Sequence, residues 1–414
     1  MNNQVSTATV SRRDVSEEAV SQKEQSKGRI LFASDCLGRN GISTHMMTLM
    51  ESLPSRGWTV GLVYGEIIGG CPLNREYLKK QGIWHRQIQF PDFWRDKGGL
   101  SQLATSYWRS RGLLHRFSPD VIHVHGLGLA PLLKFASIGM HCPIVSTLHA
   151  PPMSKVEYVA KKLGPLVKTF SWLLGDRVIA ISEEMRAVLK ELWRISSDKI
   201  VDIRHGVDST YFYPPSSFER NSARNHFGLS KDSFSACILG RLYRNKNHRI
   251  LFEAVASLKQ KGIHVDVLVA GAGYLEEELK QLSLTLGIDD RVQMLGFVDA
   301  RQVLWASDVK VLPSRNEGYP IVILEAMSCG VVPIRTNDGG ASEQIEDGRD
   351  GFIIPYDDTK SLTRILETLS HNPDVLESMS QNASRTASQR FTSEAMVSTT
   401  ESLYYSLASP TRRP

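Results

Sequence analysis

The sequence has no long hydrophobic segment, and its cysteines form no paired motif. No apolar run among its 414 residues approaches the roughly 20 residues that a membrane-spanning helix needs. The N-terminal segment is polar and has no apolar core of the kind that a secretory signal peptide carries. The five cysteines are scattered, without a Cys-x-x-Cys pair, which argues against a disulfide framework and against a zinc site. These absences predict reduced thiols and a cytoplasmic protein.

A strong charge imbalance is also missing. The formal net charge is +5, with 41% hydrophobic and 22% charged residues, as in ordinary globular enzymes. This positive charge is too diffuse to indicate a nucleic-acid partner, because no basic stripe or motif accompanies it. Residues 1–27 are polar and poor in large apolar side chains, so we predict a disordered tail there. The length suggests two or three domains.

Two successive halves of the chain each show alternating strand and helix patterns, which favours parallel α/β sheets. The second half restarts the pattern at Ser235, and the run from Pro214 to Asn225 is interpreted as an interdomain linker. Residues Glu66 to Arg116 follow no pattern that assigns them. The strands predicted for the first half are Arg29–Ser34, Gly57–Tyr64, Pro119–His125, Ile144–Leu148, Arg177–Ser182 and Lys199–Arg204.

The most informative stretch runs from Pro313 to Pro355. The apolar run Val309–Pro313 predicts a buried strand, and Ile321–Cys329 predicts a helix directly after the loop. A second strand, loop and short helix, Ala341–Glu346, follow the same plan. Loops that follow parallel strands meet at the ligand-binding edge of an open sheet. Since helix N-termini there offer free N–H groups, this edge suits a phosphate.

Four charged residues lie on or beside predicted loops that follow strands. Glu317 precedes the predicted helix, whereas Glu325 lies inside it and cannot cap it. A ribose diol is a candidate partner for Glu325, because one carboxylate can accept from both hydroxyls. Arg241 and Lys246 follow the predicted strand Ser235–Gly240, and a guanidinium with an ammonium suits a diphosphate. The alternative is that all four are solvated surface charges.

Several motifs together resemble the family 4 retaining glycosyltransferases. Glu317–Pro333, EGYPIVILEAMSCGVVP, resembles the signature in which seven residues separate two glutamates. Gly240–Lys246 resembles the family's G-R-L-x-x-x-K element. His205–Asp208 resembles its N-G-V-D turn with His in place of Asn, and Asn40-Gly41 stands where the family has a Gly-Gly pair. The resemblance covers Arg29 to Leu407, which is nearly the whole chain.

This resemblance implies a GT-B fold, in which two doubly wound Rossmann-like α/β domains face each other across a cleft. Residues 28–208 would form the acceptor-side domain, residues 209–391 the nucleotide-sugar side, and residues 392–414 a helix that packs back on the first domain. The implied activity is retaining transfer of a hexosyl group from a UDP- or GDP-linked sugar to an acceptor hydroxyl, in polysaccharide or glycolipid synthesis. No metal or other cofactor is expected, and the chain has no Asp-x-Asp tripeptide of the metal-using transferases.

The resemblance also implies roles for individual residues. Glu317 and His149 would orient the donor sugar as catalytic residues, and Glu325 would bind the ribose. We expect same-face attack by the acceptor hydroxyl, assisted by the leaving phosphate, because no carboxylate can be assigned to a position beneath the sugar. The residues expected to bind the donor diphosphate are Arg241, Lys246, Gly318, Tyr319, Ile321 and Gly41.

Other functions stay open. The same fold would serve a nucleotide-sugar epimerase, a sugar-phosphate synthase or a non-catalytic partner subunit. An NAD enzyme is disfavoured, because Gly271-Ala272-Gly273 lacks the third glycine of a dinucleotide fingerprint. His123 and His125 share one strand face, which allows a metal pair, although no third ligand is evident.

The stretch Lys155–Leu174 combines lysines with aromatic residues. Basic and aromatic residues on one helix suit an anionic membrane interface. We therefore expect peripheral contact with the inner face of the cell membrane and a sugar or lipid-linked acceptor. An ordinary surface helix is the alternative.

Overall fold

The computed structural model describes residues 27–68, 70–88, 100–126, 128–149 and 171–408. Residues 1–26 of the predicted tail, and the basic stretch from Lys155 as far as residue 170, lie outside the described residues. Of that stretch, Ser171–Leu174 is described and forms a 3-10 turn. No helix in the described part is long and apolar enough to cross a bilayer.

The N-terminal half forms one parallel sheet with helices on both faces, as a fully buried parallel sheet requires. Its strands are β1 (Gly28–Leu37), β2 (Trp58–Ile67), β3 (Trp84–Gln87), β4 (Val121–His125), β5 (Ile144–Leu148), β6 (Arg177–Ala180) and β7 (Ile200–Asp202). Its helices are α1 (Gly41–Ser55), α2 (Arg75–Lys80), α3 (Leu100–Phe117), α4 (Ala130–Ala136) and α5 (Glu183–Glu191). The strand order is β3-β2-β1-β4-β5-β6-β7.

The C-terminal half repeats this plan. Its strands are β8 (Phe234–Leu239), β9 (Val265–Ala270), β10 (Val292–Gly296), β11 (Val309–Leu312), β12 (Val332–Thr336) and β13 (Phe352–Ile354). Its helices are α6 (Ser217–His226), α7 (His248–Gln260), α8 (Glu276–Thr285), α9 (Ala300–Ala306), α10 (Ile321–Ser328), α11 (Ala341–Gln344), α12 (Thr359–His371), α13 (Pro373–Arg390) and α14 (Ser393–Leu407). The strand order β10-β9-β8-β11-β12-β13 confirms the α/β class and the two sheets predicted from the sequence.

Apolar packing joins the two halves at the base of the cleft. One continuous cluster of buried side chains includes Ile30 of β1, Ile179 of β6, Leu324 of α10 and Tyr404 of α14. A second cluster, with Val267 of β9, fills the space between the second sheet and its helices. The strand ends that carry the predicted ligand loops are therefore held on rigid, buried elements.

The predicted linker from Pro214 to Asn225 is wrong over most of its length, because α6 occupies it. Ser216 and Glu219 form a capping box that satisfies the free N–H groups at the start of this helix. Arg224 is almost fully buried, and its guanidinium donates to the carbonyl oxygens of Ser230, at 2.7 Å, and Ala306, at 2.8 Å. A polar composition thus concealed a helix that is anchored by one buried arginine.

Other predicted element boundaries differ from the observed ones, because pairing between strands outweighed the local sequence pattern. The first strand continues beyond Ser34 to Leu37, because its last residues pair with β2. Within the unassigned region Glu66 to Arg116, the described residues contain α2, β3 and part of α3. β3 is a short edge strand with partly exposed residues, so no strong apolar pattern marks it.

Helix α14 returns from the second half to the first. Its start is tied down by a backbone pair between Val207 and Thr392. Farther along, the indole Nε1 of Trp58 donates to Glu401 at 2.9 Å. The hydroxyl of Tyr404, which is fully buried, lies 2.5 Å from His123 Nδ1. The last helix is therefore built into the core of the N-terminal half.

Candidate active site

A cleft of about 420 Å³ lies between the two halves. Most of its wall comes from loops that follow strands, at the edge where open parallel sheets bind ligands. The wall includes residues 38–44 after β1, His149 after β5, His205 after β7, residues 239–241 and Lys246 after β8, and residues 317–322 with Glu325 from the loop and helix after β11.

The N-terminus of α10 lies at this cleft without a side-chain cap. Pro320 precedes the helix, and no side chain caps it, so its first N–H groups are available to an anion. The preceding loop is held by a close approach of the next loop. A Cβ at Gly339 would lie 2.1 Å from the Glu317 carbonyl oxygen, and only glycine tolerates this contact at a positive φ. Gly318, Tyr319 and Ile321 therefore line the cleft in a well-defined loop.

Two of the predicted site residues form an ion pair. Lys246 Nζ lies 2.5 Å from Glu317 Oε1, and both side chains are less than one-fifth exposed. Lys246 ends a short 3-10 turn, after which Asn247 adopts a left-handed conformation with φ of 51°. Arg241, on the same loop, is exposed, and its guanidinium lies 4.7 Å from the ring centroid of Tyr243. The structure thus places both predicted cations and one predicted glutamate at a single edge of the cleft.

Glu325, which the sequence predicts as the ribose ligand, also lines the cleft and is only 9% exposed. Its burial raises the pKa of the carboxyl to about 7, although the positive charge of Lys310 opposes this rise. Lys310, on β11, is fully buried and donates to the Val311 carbonyl oxygen at 2.8 Å. Burial lowers the pKa of Lys310 to about 8. Lys310 was not predicted as a residue of the site. A lysine inside the apolar run VKVLP was the pattern that could have indicated it.

His149 and His205 line the cleft, and the rings of His45 and His125 pack behind them. His125 Nδ1 and His149 Nε2 are 2.9 Å apart, and His205 Nδ1 lies 3.0 Å from the carbonyl oxygen of Tyr319 in the other half. The ring of His45 lies between them, with centroids 5.3 Å from His125, 5.2 Å from His149 and 4.8 Å from His205. Burial lowers the pKa of each of these four histidines. They are therefore neutral at neutral pH.

The metal pair left open for His123 and His125 finds no support in the geometry. Both ring nitrogens of His123 already have partners, the hydroxyl of Tyr404 at 2.5 Å and that of Thr147 at 2.7 Å. Over the described ranges, no group of three or more His, Cys, Asp or Glu side chains has a metal-binding arrangement. His123 is better described as a satisfied core residue.

A contact across the cleft mouth was not predicted. The guanidinium of Arg39, after β1, lies 4.4 Å from the ring centroid of Phe297, after β10. Half of the Phe297 side chain stays exposed. Gly41 approaches the other half as well, since a Cβ there would lie 3.7 Å from Ile321 Cδ1. Nothing in either local sequence shows that these loops meet, because the contact joins two different domains.

Two family models match the chain in succession. Residues 39–211 match the model described as Glycosyltransferase Family 4, and residues 219–386 match Glycosyl transferases group 1. The gap between the two matches, residues 212–218, follows β7 and reaches the first residues of α6.

Named relatives and a solved structure agree with these matches. The UDP-Gal:alpha-D-GlcNAc-diphosphoundecaprenol alpha-1,3-galactosyltransferase of Escherichia coli is 30% identical over 65% of this chain and 71% of its own length. Putative glycosyltransferase EpsD of Bacillus subtilis (strain 168) is 33% identical over 52% of this chain. The match covers 58% of the length of EpsD. Anabaena HepE, solved in complex with UDP, superposes with a TM-score of 0.77 at 22% identity, over 91% of this chain and all of HepE.

Proposed function

The chain belongs to the family 4 glycosyltransferases and has their GT-B fold, and on this premise we propose that it transfers a hexosyl group from a nucleotide-diphosphate sugar to an acceptor hydroxyl. The observation that carries the proposal is the cleft between the halves. There Lys246, Arg241 and the uncapped N-terminus of α10 lie on one wall with Glu325. Cations and free N–H groups are what a diphosphate requires. Since HepE was solved in complex with UDP, a UDP-linked donor is the first choice.

The proposed donor lies along the C-terminal half. Arg241, Lys246 and the backbone of residues 318–321 would bind the diphosphate, with Gly41 approaching from the opposite wall. These groups supply the positive charge that a metal ion supplies in other transferases. Glu325 would accept hydrogen bonds from the ribose hydroxyls. Since Arg241 is exposed whereas Lys246 is largely buried, we expect Lys246 to contribute more to affinity.

The proposed chemistry retains the configuration of the transferred sugar. The acceptor oxygen would bond to the anomeric carbon on the face from which the phosphate oxygen departs, and the acceptor proton would pass to that phosphate. Glu317 is ion-paired with Lys246 at 2.5 Å, which supports a positioning role for its carboxylate over attack on the sugar. His149, on the opposite wall, would hold the sugar from the other side.

A sugar or lipid-linked acceptor, and polysaccharide or glycolipid synthesis at the inner face of the membrane, complete the proposal. The name of the Escherichia coli relative specifies a diphosphoundecaprenol acceptor. Trp172, which belongs to the predicted basic stretch, is more than 40% exposed, as are Phe135 and Ile138, and the rings of Phe135 and Trp172 lie 5.8 Å apart. Aromatic residues beside a basic stretch suit an anionic bilayer surface.

Liposome flotation tests the membrane part of the proposal. The protein should co-float with vesicles that contain anionic lipids at low salt, and Trp172→Ser should weaken this association. Vesicles of neutral lipids alone are the control. Absence of co-flotation with anionic vesicles would remove the membrane contact and leave the transferase proposal standing.

Thermal shift with UDP-, GDP- and ADP-sugars tests the donor site. One class should raise the melting temperature of the parent protein by mass action. Arg241→Ala and Lys246→Ala should each weaken nucleotide affinity by roughly 1–3 kcal/mol, the cost of losing charged hydrogen bonds. Arg244→Ala is the matched control, because Arg244 lies on the same loop with its side chain 79% exposed. Unchanged affinity in both site variants would refute the assignment.

Incubation of the parent protein with donor alone, and then with donor and a set of acceptors, separates the alternatives. An epimerase would convert the donor sugar without an acceptor, and a sugar-phosphate synthase would require a phosphorylated sugar as acceptor. A non-catalytic subunit would bind nucleotide yet transfer nothing to any acceptor offered. Transfer to an unphosphorylated hydroxyl is the outcome that we expect.

A further inference from the structure

His205 occupies an unusual position between the two halves. It follows β7 in the turn His205–Asp208, at the place where the resembling family motif has asparagine. The side chain lines the cleft although only 4% of the residue is exposed. It is therefore a buried polar group in the wall of the cleft.

The hydrogen bond to Tyr319 determines which nitrogen of His205 carries the proton. Nδ1 lies 3.0 Å from the Tyr319 carbonyl oxygen, and a carbonyl oxygen can only accept. Nδ1 must therefore be the N–H donor. Burial lowers the pKa of His205 to about 4, so the ring is neutral at neutral pH. In a neutral imidazole the other nitrogen, Nε2, then carries a lone pair and can only accept.

This acceptor has no partner within the described protein. Nε2 of His205 is buried and makes no hydrogen bond. The neighbouring rings of His149, at 5.3 Å between centroids, and His45, at 4.8 Å, pack against it without bonding to Nε2. Buried acceptors are normally satisfied, so a donor group is expected from the cleft.

The surroundings indicate which part of the donor could supply that group. Through Tyr319, His205 is attached to the loop before α10, where the diphosphate is proposed to bind. On its other side it stacks on His149, the residue proposed to hold the sugar. The part of a nucleotide-sugar donor that would lie between these two positions is its sugar, which is attached to the diphosphate. Sugars present hydroxyl groups, and a hydroxyl is an efficient donor to a neutral imidazole nitrogen.

We propose that Nε2 of His205 accepts a hydrogen bond from a hydroxyl of the transferred sugar and thereby helps to select that sugar. This inference rests on the proposed function. A sugar without a hydroxyl at that position would leave a buried acceptor unpaired, and a site built to bond a hydroxyl rejects such analogues strongly. Because Tyr319 belongs to the other half, His205 can take this orientation only when the two halves are together.

Paired binding measurements test the proposal. His205→Phe keeps a ring that can stack on His149 and removes both nitrogens. Calorimetry would compare free UDP and GDP with UDP-glucose, UDP-galactose, UDP-N-acetylglucosamine and GDP-mannose. We expect the variant to bind the free nucleotide within about twofold of the parent and to lose about tenfold or more in affinity for the preferred nucleotide sugar. His205→Asn, the residue of the family motif, should recover part of that loss.

A spectroscopic measurement on the parent protein covers the case in which the variants do not fold. In protein with ¹⁵N-labelled histidine, one Nε2 signal should be that of an unprotonated nitrogen correlated with a protonated Nδ1. Addition of the preferred nucleotide sugar should shift this signal, whereas the free nucleotide should leave it unchanged. A protonated Nε2, or no sugar-dependent shift in any such histidine signal, would overturn the inference.

The remaining outcomes are also decisive. Equal losses for free nucleotide and nucleotide sugar would mean that His205 supports the phosphate loop and not the sugar, and undiminished affinity for the nucleotide sugar would mean that Nε2 has no role in binding it. Either result overturns the inference while the proposed function survives. If the parent protein binds no nucleotide at all, the proposed function fails and the inference fails with it.

Discussion

Glu317 and Glu325 are carboxylates of one signature, yet the structure gives them different surroundings. Glu317 is paired with Lys246 at 2.5 Å and precedes α10. Glu325 lies inside α10 and is 9% exposed, within reach of the cleft. We infer that Glu317 serves the sugar beyond the diphosphate, and that Glu325 serves the nucleoside.

The two glutamine variants should therefore fail differently. Glu317→Gln should lower the rate of transfer at saturating donor more than it lowers nucleotide affinity, because it removes a group that positions the sugar. Glu325→Gln should weaken the binding of donor and free nucleotide alike. Calorimetry and transfer rates check both. Normal turnover in the first variant, or normal nucleotide binding in the second, would show that the roles are wrongly assigned.

The same burial makes the ribose contact sensitive to pH. The folded pKa of Glu325 is raised from 4.5 to about 7, so its carboxyl gains a proton as the pH falls through 7. A protonated carboxyl accepts less well, and nucleotide affinity should fall between pH 8 and pH 6. In Glu325→Gln this part of the pH dependence should disappear. Equal pH profiles for parent and variant would contradict the prediction.

Lys310 presents the reverse case, a fully buried cation that donates to the Val311 carbonyl oxygen. A folded pKa of about 8 against 10.5 for the free side chain means that burying the charged form costs roughly 3 kcal/mol at neutral pH. Lys310→Met should stabilise the protein by about 1–3 kcal/mol at pH 7. Because the folded state releases its proton first, the gain should shrink as the pH rises from 8 towards 10.5.

Urea unfolding at pH 7 and pH 10 measures this effect, with Lys231→Met, an exposed position, as the control. The charge of Lys310 acts on both Glu317 and Glu325, so the stabilised variant should also bind nucleoside diphosphates more weakly. A variant no more stable than the parent at pH 7 would show that the surroundings of Lys310 offset the cost of burying its charge.

At the scale of whole elements, α14 is one of the connections that tie the second half to the first. Glu401 on this helix accepts from Trp58 Nε1 at 2.9 Å, Arg56 Nη1 at 3.0 Å and Lys27 Nζ at 3.2 Å. Glu394, earlier in the same helix, also contacts Arg56, but its side chain is 75% exposed. The two glutamates therefore differ in burial while sharing a partner.

Removal of the buried acceptor should loosen the helix. Glu401→Ala leaves the indole and guanidinium donors without this partner, and we expect a loss of about 1–3 kcal/mol in the free energy of unfolding. Glu394→Ala is the matched control and should change the melting temperature little, because exposed pairs contribute little. Chemical denaturation of both variants gives the comparison. Equal effects would mean that the contact with Arg56 alone holds the helix.

At the scale of the molecule, the interior holds a concentration of neutral histidines where the two halves meet. Burial lowers the pKa of each of them, to about 3 for His123 and about 4 for His205. In the unfolded chain a histidine titrates near 6.5, so below this pH the unfolded state binds more protons than the folded state. The members of the cluster are His45, His123, His125, His149 and His205.

Stability should therefore decrease as the pH falls from about 6.5 towards 4. Thermal unfolding across this range measures the decrease. His45→Leu removes one buried titrating group, so its melting temperature should depend less steeply on pH than that of the parent. His264→Gln, at an exposed position, should leave the dependence unchanged. A parent protein that is equally stable at pH 5 and pH 7 would contradict the prediction.

Local sequence determined the alternation of strands and helices, because apolar runs, caps and glycines act over a few neighbouring residues. Strand β5 was predicted at Ile144–Leu148, with the bounds that the structure has, and the helix expected within residues 392–414 is α14, Ser393–Leu407. Glu317 and Glu325 were found because both lie in one short signature whose loop and helix fold locally. Helix α6 was not predicted, because a buried arginine and a capping box anchor it and no apolar stripe marks it in the sequence.

Tertiary structure alone decided which side chains meet. Lys246 pairs with Glu317, His205 donates to Tyr319, and Arg39 lies over Phe297. Each of these contacts joins loops from different strands, and the last two join different halves, so no periodicity or motif encodes the distance between the partners. Burial is decided in the same way. The perturbed pKa values of Glu325 and Lys310 arise from the exclusion of water by elements distant in the chain, which a local pattern of residues does not contain.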